Sequence, residues 1–332
     1  MNQITDEYRT VARGAAWIDR SSRGRLRLSG RDAASFLHAL VTNDVNTLPP
    51  GRGVYAAYLT PQGRMIADMT IHNDGQVLLM DVAPGRAAML AERFDQLIFS
   101  EDVRVSDVSE AIAHLTVAGA LAAAVVGRTC AEIPIASEVL EALPVLGHVK
   151  AGDAMVVRTD VVGLPAFDVF LPSSARDETA LRLADAGAVR MSDALFESLR
   201  IEAARPSFGV DMTEETIPLE AGLLARAIST TKGCYVGQEV IIRILHRGQG
   251  RVAKRLVLLE FDARAMAPPA AGLSILDGDR EVGRVTSAAI SPSTGRAIAL
   301  GYVARDLAEP GRSLRVRNDG SHDTATILTL AG

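Results

Sequence analysis

Cysteine is scarce in this chain of 332 residues, which holds only Cys130 and Cys234. Two cysteines so far apart do not make a disulfide framework, so we expect a reducing compartment. Long apolar runs are missing as well, since no stretch reaches the roughly 18 consecutive apolar residues that a membrane span needs. The first residues show no apolar run after a basic start, which argues against a signal peptide. The composition therefore predicts a cytoplasmic protein without a membrane partner.

Positive charge is not in excess either. The formal net charge is -5 at pH 7, with a pI near 5.7. Bulk electrostatics therefore does not favour nucleic acid, and we expect no direct nucleic-acid partner. Hydrophobic residues make up 48% of the chain and charged residues 23%, as in an ordinary soluble globular protein. At this length, two or three domains are expected.

The order of the hairpin and helix signals predicts an α+β architecture rather than a doubly wound sheet. Residues 53–60 and 65–72, for example, have the composition of two strands joined by a short turn. From about residue 251 the pattern changes to short strands with turn residues between them, which is typical of a β sandwich or barrel. We therefore predict an α+β region over residues 1–249 and a β domain over residues 250–332.

The segment 230–239 concentrates scarce residues. Lys232, one of three lysines in the chain, lies two positions before Cys234. A thiol beside an ammonium group is placed for a lowered pKa, which favours a thiolate nucleophile or a metal ligand. The alternative is that Cys234 serves as a small buried hydrophobe, as free cysteines often do. A closed zinc site is not predicted, because no second cysteine or paired histidine lies at ligand spacing.

Two carboxylates, Asp68 and Glu202, are candidate ligand contacts. Asp68 stands in the strand-like run 65–69. It is either an acid/base or hydrogen-bond acceptor for a polar ligand ring, or a residue on the solvent face of the hairpin. Glu202 lies at the end of an amphipathic helix, next to Arg200 and Arg205. A carboxylate suits a heterocycle with an amino group beside a ring N–H, while the alternative is a surface ion pair worth less than about 1 kcal/mol.

The basic segment 246–255 also has two interpretations. It is either a binding site for phosphate or a polyglutamate tail, or a solvated linker between domains. No glycine-rich phosphate loop follows a strand, so nucleotide binding has no support.

The segment 232–239, K-G-C-Y-V-G-Q-E, resembles the K-G-C-[FY]-x-G-Q-E signature of the YgfZ-type folate-binding proteins. These are relatives of GcvT, the aminomethyltransferase or T-protein of the glycine cleavage system. The similarity covers nearly the whole chain. Residues 36–45 resemble the family's F-L-x-x-L-x-T-N-D-V segment, and residues 55–68 its Y-x-x-x-L-x-x-x-G-x-x-x-x-D stretch. Residues 200–222 resemble the R-x-E-A…G-x-D…P-x-E-x-G run, and residues 282–295 part of the C-terminal barrel.

This resemblance implies a GcvT-like folate-binding fold, with two interleaved ferredoxin-like units around a central cavity and a C-terminal antiparallel β-barrel. It implies tetrahydrofolate, or a one-carbon derivative, as the cofactor. Glu202 matches the glutamate that grips the pterin edge, Asp68 the aspartate at the reacting folate nitrogen, and Tyr55 a pocket tyrosine. The signature loop would be completed by Gly233, Tyr235, Gly237, Gln238 and Glu239, the last two fixing it by hydrogen bonds.

The cysteine in the signature favours the YgfZ branch, because T-proteins have F-x-G-x-E there without the Lys-Gly-Cys. The expected function is tetrahydrofolate binding in support of the assembly or repair of iron–sulfur enzymes, including radical enzymes that modify tRNA. Iron–sulfur client or assembly proteins would be its partners. Cys234, with Lys232 nearby, would be the redox or cluster-facing group, and Asp68 is the third catalytic candidate.

The alternative function is that of a true aminomethyltransferase, in which Asp68 activates folate to accept a methylene group from a lipoyl carrier. A third interpretation is a folate-demethylating module. The sequence does not decide whether the chain is an enzyme; if it is one, we expect a folate-dependent one-carbon transferase.

Overall fold

The computed structural model describes residues 3–130, 134–262, 267–318 and 321–332. Within these ranges the chain forms two open sheets, a closed barrel and α-helices that cover the sheets. The strands are β1 (Ala16–Asp19), β2 (Gly24–Ser29), β3 (Arg52–Leu59), β4 (Met65–Asn73), β5 (Leu78–Val82), β6 (Arg104–Asp107), β7 (Ile112–Ala118), β8 (His148–Ala151), β9 (Ala154–Thr159), β10 (Ala166–Pro172), β11 (Val189–Arg190), β12 (Lys254–Phe261), β13 (Ser274–Asp277), β14 (Arg280–Ile290), β15 (Ala297–Ala304), β16 (Ser313–Asn318) and β17 (Ser321–Leu330). The helices are α1 (Gln3–Arg13), α2 (Ala33–Leu40), α3 (Ala87–Asp95), α4 (Ala122–Thr129), α5 (Ser137–Glu141), α6 (Arg176–Asp185), α7 (Asp193–Glu202), α8 (Leu224–Ala227) and α9 (Gln238–His246).

The two open sheets are interleaved along the chain. The first has the strand order β3-β4-β5-β2-β6 and the second the order β11-β1-β7-β10-β9-β8. The chain starts the second sheet with β1, builds the first from β2 to β6, and returns to the second with β7. Neighbouring strands are antiparallel except β1 and β11, which are parallel. The predicted α+β architecture is confirmed.

The six C-terminal strands close into an antiparallel barrel with the order β12-β15-β14-β13-β16-β17. Its interior is apolar, with Leu259, Ile275 and Val316 among the residues removed from solvent. The predicted C-terminal antiparallel barrel is thus confirmed. The predicted division of the chain between residues 249 and 250 stays a prediction.

Helices α2 and α3 cover the outer face of the first sheet. Alternate residues of a strand point to opposite faces, and Ala67, Met69 and Ile71 of β4 pack in one cluster with the apolar residues of these helices. Phe94 of α3 contacts Tyr58 of β3 edge to face, with ring centroids 5.3 Å apart. These contacts fix which face of β4 is turned outward, and so which residues face the second sheet.

The inner faces of the two sheets meet in a layer that is apolar at one end and polar at the other. At the apolar end, Leu79 of β5 packs with Met155 and Phe170 of the second sheet. At the polar end, Asp68 of β4 and Asp168 of β10 line a common cavity. The alternation of β4 therefore brings Asp68 between the sheets, not to solvent.

Helix α7 joins the two sheets to the barrel. Ile201 packs with Leu258 of the barrel, and both are buried. The buried guanidinium of Arg200 binds the Asp211 carboxylate at 2.7 Å, and Thr286 of β14 donates to the same carboxylate at 2.6 Å. Breaking a buried ion pair of this kind costs about 3–5 kcal/mol, so this contact holds the end of α7 against the barrel.

Candidate functional site

The polar cavity between the two sheets is the candidate site. Its walls come from strands of both sheets, from the connections after β1 and β9, from α7 and α8, and from residues 205–208 after α7. They carry both carboxylates and guanidinium groups. The charged and aromatic lining residues are Arg20, Arg23, Tyr55, Asp68, Asp81, Asp160, Asp168, Arg200, Arg205, Phe208 and Arg226.

Asp68 is paired with Tyr55 on the wall formed by the first sheet. The β3–β4 hairpin sets Tyr55 opposite Thr70 and Asp68 opposite Ala57, so Tyr55 and Asp68 are diagonal neighbours on one face. The Tyr55 hydroxyl donates a hydrogen bond of 2.7 Å to Oδ2 of Asp68. Burial raises the pKa of Asp68, although this hydrogen bond and the charge of Arg23 act against the rise. Burial and the Asp68 charge raise the pKa of Tyr55 well above its usual range, which keeps the phenol a donor.

The other carboxylates of the cavity are tied to cations. Arg23 Nε lies 2.6 Å from Asp81, and the Nδ1 atom of His114 lies 3.4 Å from the same carboxylate. Burial alone would raise the pKa of Asp81, but Arg23 and His114 outweigh it and hold this pKa below its usual value. Asp168 lies 3.0 Å from Nε2 of His114, and its pKa is lowered to about 2 in spite of its burial. Among these carboxylates, Asp68 is the one with a raised pKa.

Arginines dominate the wall beside Tyr55. The guanidinium of Arg226 lies over the Tyr55 ring, 5.4 Å from its centroid. Arg226 also binds one oxygen of Asp160 at 2.9 Å, while Arg205 binds the other oxygen at 2.7 Å. Two cations thus share one anion, which leaves a net positive charge on this side of the cavity. Such a surface favours an anionic part of a ligand.

The predicted site residue Lys232 does not face the thiol of Cys234. Its ammonium group donates to the backbone carbonyls of His38, Val41 (2.6 Å) and Asn43 (3.1 Å) at the end of α2. Burial lowers the pKa of Lys232 to about 8. Cys234 itself is exposed and is not among the residues that line the cavity.

The other residues of the signature shape its loop. Tyr235 is buried, with its ring 5.0 Å from the Lys232 ammonium. Gln238 accepts a hydrogen bond from the Tyr235 backbone N–H at 3.1 Å. Gly237 has φ +83°, and a Cβ there would lie 2.5 Å from the Thr60 carbonyl. The loop therefore packs tightly against the β3–β4 turn.

Two signature residues make no such contact. Glu239 is exposed and forms an ion pair with Arg243 one helical turn later in α9. Gly233 has open space where a Cβ would stand. The structure thus brings together only part of the predicted motif.

Glu202 lies at the end of α7, beside the barrel. Ser291 donates to its Oε1 at 2.6 Å, and Ser293 donates to the same oxygen. Glu202 is not among the residues lining the cavity of Asp68. Nor does it form the surface ion pair considered above, because Arg200 and Arg205 are bound to other carboxylates.

Several residues in or beside the cavity were not singled out from the sequence. Asp81, His114 and Asp168 each interrupt an otherwise apolar strand, the same signal that marked Asp68. Asp160 and Arg226 lie in irregular or short helical segments and have no such signal. The charged strand residues could have been found from the sequence, whereas the arginine wall depends on tertiary structure.

Across residues 3–130, 134–262, 267–318 and 321–332, no group of three or more His, Cys, Asp or Glu side chains is placed to hold a metal ion. In the same ranges no helix is long and apolar enough to cross a membrane.

Comparison with known proteins extends over almost the whole chain. The family model of the GCVT N-terminal domain matches residues 1–232, and that of the glycine cleavage T-protein C-terminal barrel domain matches residues 254–331. An aminomethyltransferase of Rubrobacter xylanophilus is 32% identical over 90% of this chain and 79% of its own length. An aminomethyltransferase of Nostoc sp. is 29% identical over 98% of this chain and 86% of its own length.

A solved structure has the same fold. The crystal structure of the glycine cleavage system aminomethyltransferase T from Bartonella henselae superposes with a TM-score of 0.88 at 22% identity, over 98% of this chain and 88% of that one. The predicted GcvT-like fold is therefore confirmed. Tetrahydrofolate, the predicted cofactor, is the one-carbon carrier of aminomethyltransferases of this type.

The predicted iron–sulfur function is wrong. The curated relatives are named aminomethyltransferase, and the structural match is to a glycine cleavage T-protein. The relatives give no support to the YgfZ branch, to iron–sulfur partners or to a tRNA-modification role. The single cysteine of the signature is weaker evidence of function than the similarity of the whole chain.

Proposed function

This chain belongs to the glycine cleavage T-protein family, and on that premise we propose that it is a folate-dependent aminomethyltransferase. It would transfer a one-carbon unit from an aminomethyl group on a lipoylated carrier protein to tetrahydrofolate. We place this reaction in the cavity between the two sheets. The two distant cysteines are consistent with action in a reducing, cytoplasmic compartment.

The observation that carries this proposal is the Tyr55–Asp68 pair. Asp68 is a buried carboxylate with a raised pKa on the wall of a polar cavity. The neighbouring carboxylates Asp81 and Asp168 are held ionised by cations. Environments that push the pKa values of nearby carboxyl groups apart mark the acid/base group. Asp68 is therefore the residue that we assign to proton transfer.

The cavity has the groups that tetrahydrofolate requires. The carboxylate of Asp68 suits the N–H donors of a reduced pterin ring. Tyr55 and Phe208 offer aromatic surface in the same cavity, and Arg205 and Arg226 offer positive charge for the carboxylates of the glutamate tail. When bound, tetrahydrofolate supplies the amine nitrogens that accept the one-carbon unit.

The chain's own residues then have separate roles. Asp68 accepts a proton at its carboxylate, and Tyr55 holds that carboxylate in place through the hydrogen bond to Oδ2. Arg226, stacked over the Tyr55 ring, fixes the ring plane and supplies charge. The buried position of Asp68 keeps bulk water from the reacting proton.

Glu202 is a second proposed ligand contact, taken from the resemblance of its motif to the glutamate at the pterin edge. Ser291 and Ser293 bind only its Oε1 atom. Among the residues that the structure describes, no hydrogen bond to Oε2 is seen. We propose that this second oxygen is presented to the ligand. A catalytic role for Cys234 stays a prediction.

The test is turnover with purified components. The protein, tetrahydrofolate and an aminomethylated lipoyl carrier protein should release ammonia and form methylene-tetrahydrofolate in equal amounts. Asp68→Asn should lower kcat by about a hundred- to ten-thousandfold, the usual contribution of a general acid or base. Asp107→Asn, at an exposed edge-strand position, is the matched control and should keep wild-type turnover. Tight tetrahydrofolate binding without any turnover by the wild-type protein would overturn the proposal.

A further inference from the structure

We propose that Lys232 is a positioning residue for the Tyr55–Asp68 pair, acting through the backbone of residues 41–43 and the side chain of Asn43. This inference rests on the proposed function, since it deepens the role of the same cavity. It gives the lysine of the signature a task that does not involve the exposed thiol two positions later.

The first step is the binding of Lys232 to the end of α2. The last carbonyls of a helix have no partner within the helix, and cations are favoured there. The Lys232 ammonium donates to the carbonyls of His38 and Val41 and, beyond the helix, to that of Asn43 at 3.1 Å. The ring of Tyr235 covers the same ammonium group. One side chain thus fixes the turn by which the chain leaves α2.

The second step leads from this turn to Tyr55. The Asn43 amide group donates to the Tyr55 carbonyl at 2.9 Å and to the Arg226 carbonyl at 3.3 Å. Thr42 donates to the Ala227 carbonyl at 2.6 Å and accepts from the Ala57 backbone N–H at 2.9 Å. Residues 42–43 therefore connect strand β3 to the backbone around Arg226.

The third step is a second contact of the same loop at the other end of the hairpin. Gly237 lies against the Thr60 carbonyl, and a Cβ on Gly63 would meet Val240 at 2.8 Å. The loop around Lys232 thus touches the β3–β4 hairpin near its start, through Asn43, and at its turn. The first contact is at the Tyr55 carbonyl itself, and Asp68 lies on β4 between that position and the turn. A shift of the Lys232 loop or of residues 41–43 would therefore move the hairpin and change the Tyr55–Asp68 hydrogen bond.

A positioning role and a purely stabilising role make different predictions. Loss of a merely stabilising residue lowers the melting temperature but leaves the titration of Asp68 unchanged in the protein that remains folded. Loss of a positioning residue weakens the Tyr55 hydrogen bond, which holds the pKa of Asp68 down. The titration midpoint of Asp68 must then rise.

The experiment compares Lys232→Met with Lys150→Met. Lys150 is a half-exposed lysine whose ammonium group pairs with Asp74. This ion pair involves none of the residues that connect Lys232 to Tyr55, so Lys150 is the matched control. The titration of Asp68 is followed by its 13C carboxyl resonance, assigned by its loss in Asp68→Asn. We expect a higher midpoint and a roughly ten- to hundredfold lower kcat in Lys232→Met, as small misplacements of catalytic groups produce. Lys150→Met should match the wild type in both.

An unchanged Asp68 midpoint in folded Lys232→Met overturns the positioning role, whatever happens to the melting temperature. If Lys232→Met does not fold, Asn43→Ala replaces it, because this variant keeps the lysine contacts and removes the bond to the Tyr55 carbonyl. An unchanged midpoint there has the same meaning. The resonance is measured without turnover. An inactive wild-type protein would therefore refute the proposed function, while the titration midpoint of Asp68 would still test the positioning role.

Discussion

The Tyr55 hydroxyl donates a 2.7 Å hydrogen bond to Oδ2 of Asp68, across the two strands of one hairpin. The bond joins two groups that are both difficult to ionise in their surroundings. Burial raises the pKa of the carboxyl group, and burial together with the neighbouring charge raises that of the phenol. The pair therefore joins a phenol O–H donor to a carboxylate that gains a proton unusually easily, in a cavity where neighbouring charges lower the pKa values of Asp81 and Asp168.

Removing the phenol should move the pH dependence of the reaction. The Tyr55 hydrogen bond lowers the pKa of Asp68 against the effect of burial. Tyr55→Phe removes that bond, so the pKa of Asp68 rises further and the acidic limb of kcat/KM moves to higher pH. At pH 6 the variant should lose more activity than at pH 8. The check is a pH–rate profile of both proteins, and a parallel loss at all pH values would contradict this role for Tyr55.

Asp68 should cost stability at neutral pH. Its folded pKa is raised above the unfolded value, so its contribution to stability is fully present below the unfolded pKa and is lost as the pH rises through the folded pKa. Asn cannot ionise, so Asp68→Asn should be more stable than the wild type at pH 7, by about 1.4 kcal/mol for each unit by which the pKa is raised. Urea unfolding at pH 4 and pH 7 measures the difference, which should shrink at pH 4.

Asp81→Asn is the opposite case and serves as the control. The pKa of Asp81 is lowered, because the charges of Arg23 and His114 outweigh burial. Its contribution to stability is present above the unfolded pKa and is lost as the pH falls through the folded pKa. The Asn variant should therefore be less stable at pH 7, by about 3–5 kcal/mol, since it leaves buried cations unpaired. If both Asn variants changed the free energy of unfolding at pH 7 in the same direction, this assignment of charges would be contradicted.

Glu202 should contribute to folate affinity through its free oxygen. Glu202→Ala is expected to lose roughly 1.5–3 kcal/mol of tetrahydrofolate binding, the value of a hydrogen bond to a charged group. Ser291→Ala removes one of the two hydroxyl groups that hold Oε1 and should lose less. Calorimetric titration at pH 7 measures both. Unchanged affinity in Glu202→Ala would mean that this carboxylate serves only to fix the barrel against α7.

The hairpin that carries Asp68 could be predicted from the sequence, but only part of its surroundings could. A turn at residues 61–63 with strict alternation would put Tyr55 and Asp68 on opposite faces, and the register shift between Tyr58 and Leu59 brings them to one face. Which face is buried depends on the packing of α2, α3 and the second sheet. The pairing of Asp160 with Arg205 and Arg226 joins three segments far apart in the chain, and no local periodicity reports it.

The signature loop shows a different limit. Two residues that are close in an irregular loop need not face each other. Lys232 turns inward to the end of α2 while Cys234 is exposed. The scarcity of both residue types marks this segment in the sequence. The acceptors of the ammonium group are backbone carbonyls, which are present at every residue and therefore leave no trace in the sequence.

The exposed thiol of Cys234 gives a further prediction. Cys234→Ser changes an exposed side chain outside the cavity lining. Surface substitutions usually change stability by less than about 0.5 kcal/mol, so turnover should stay within about twofold of the wild type. Steady-state rates of both proteins decide this. A loss above about tenfold would establish the catalytic role first expected for Cys234 and would remove the reason for assigning the signature to positioning alone.

The arginines beside Tyr55, Arg205 and Arg226, give the last prediction. Arg226 and Arg205 share one carboxylate, so one positive charge is available to the ligand. Arg226→Met should weaken binding of tetrahydrofolate by roughly 1.5–3 kcal/mol, the value of a charge-assisted hydrogen bond. It should not weaken binding of a reduced pterin that lacks the glutamate tail. Arg243→Met, at an exposed ion pair on α9, is the control and should bind both ligands normally. Equal losses of affinity for the two ligands would mean that Arg226 acts on the pterin ring through Tyr55. Its guanidinium, stacked on the Tyr55 ring, would then orient the phenol and would not bind the glutamate tail.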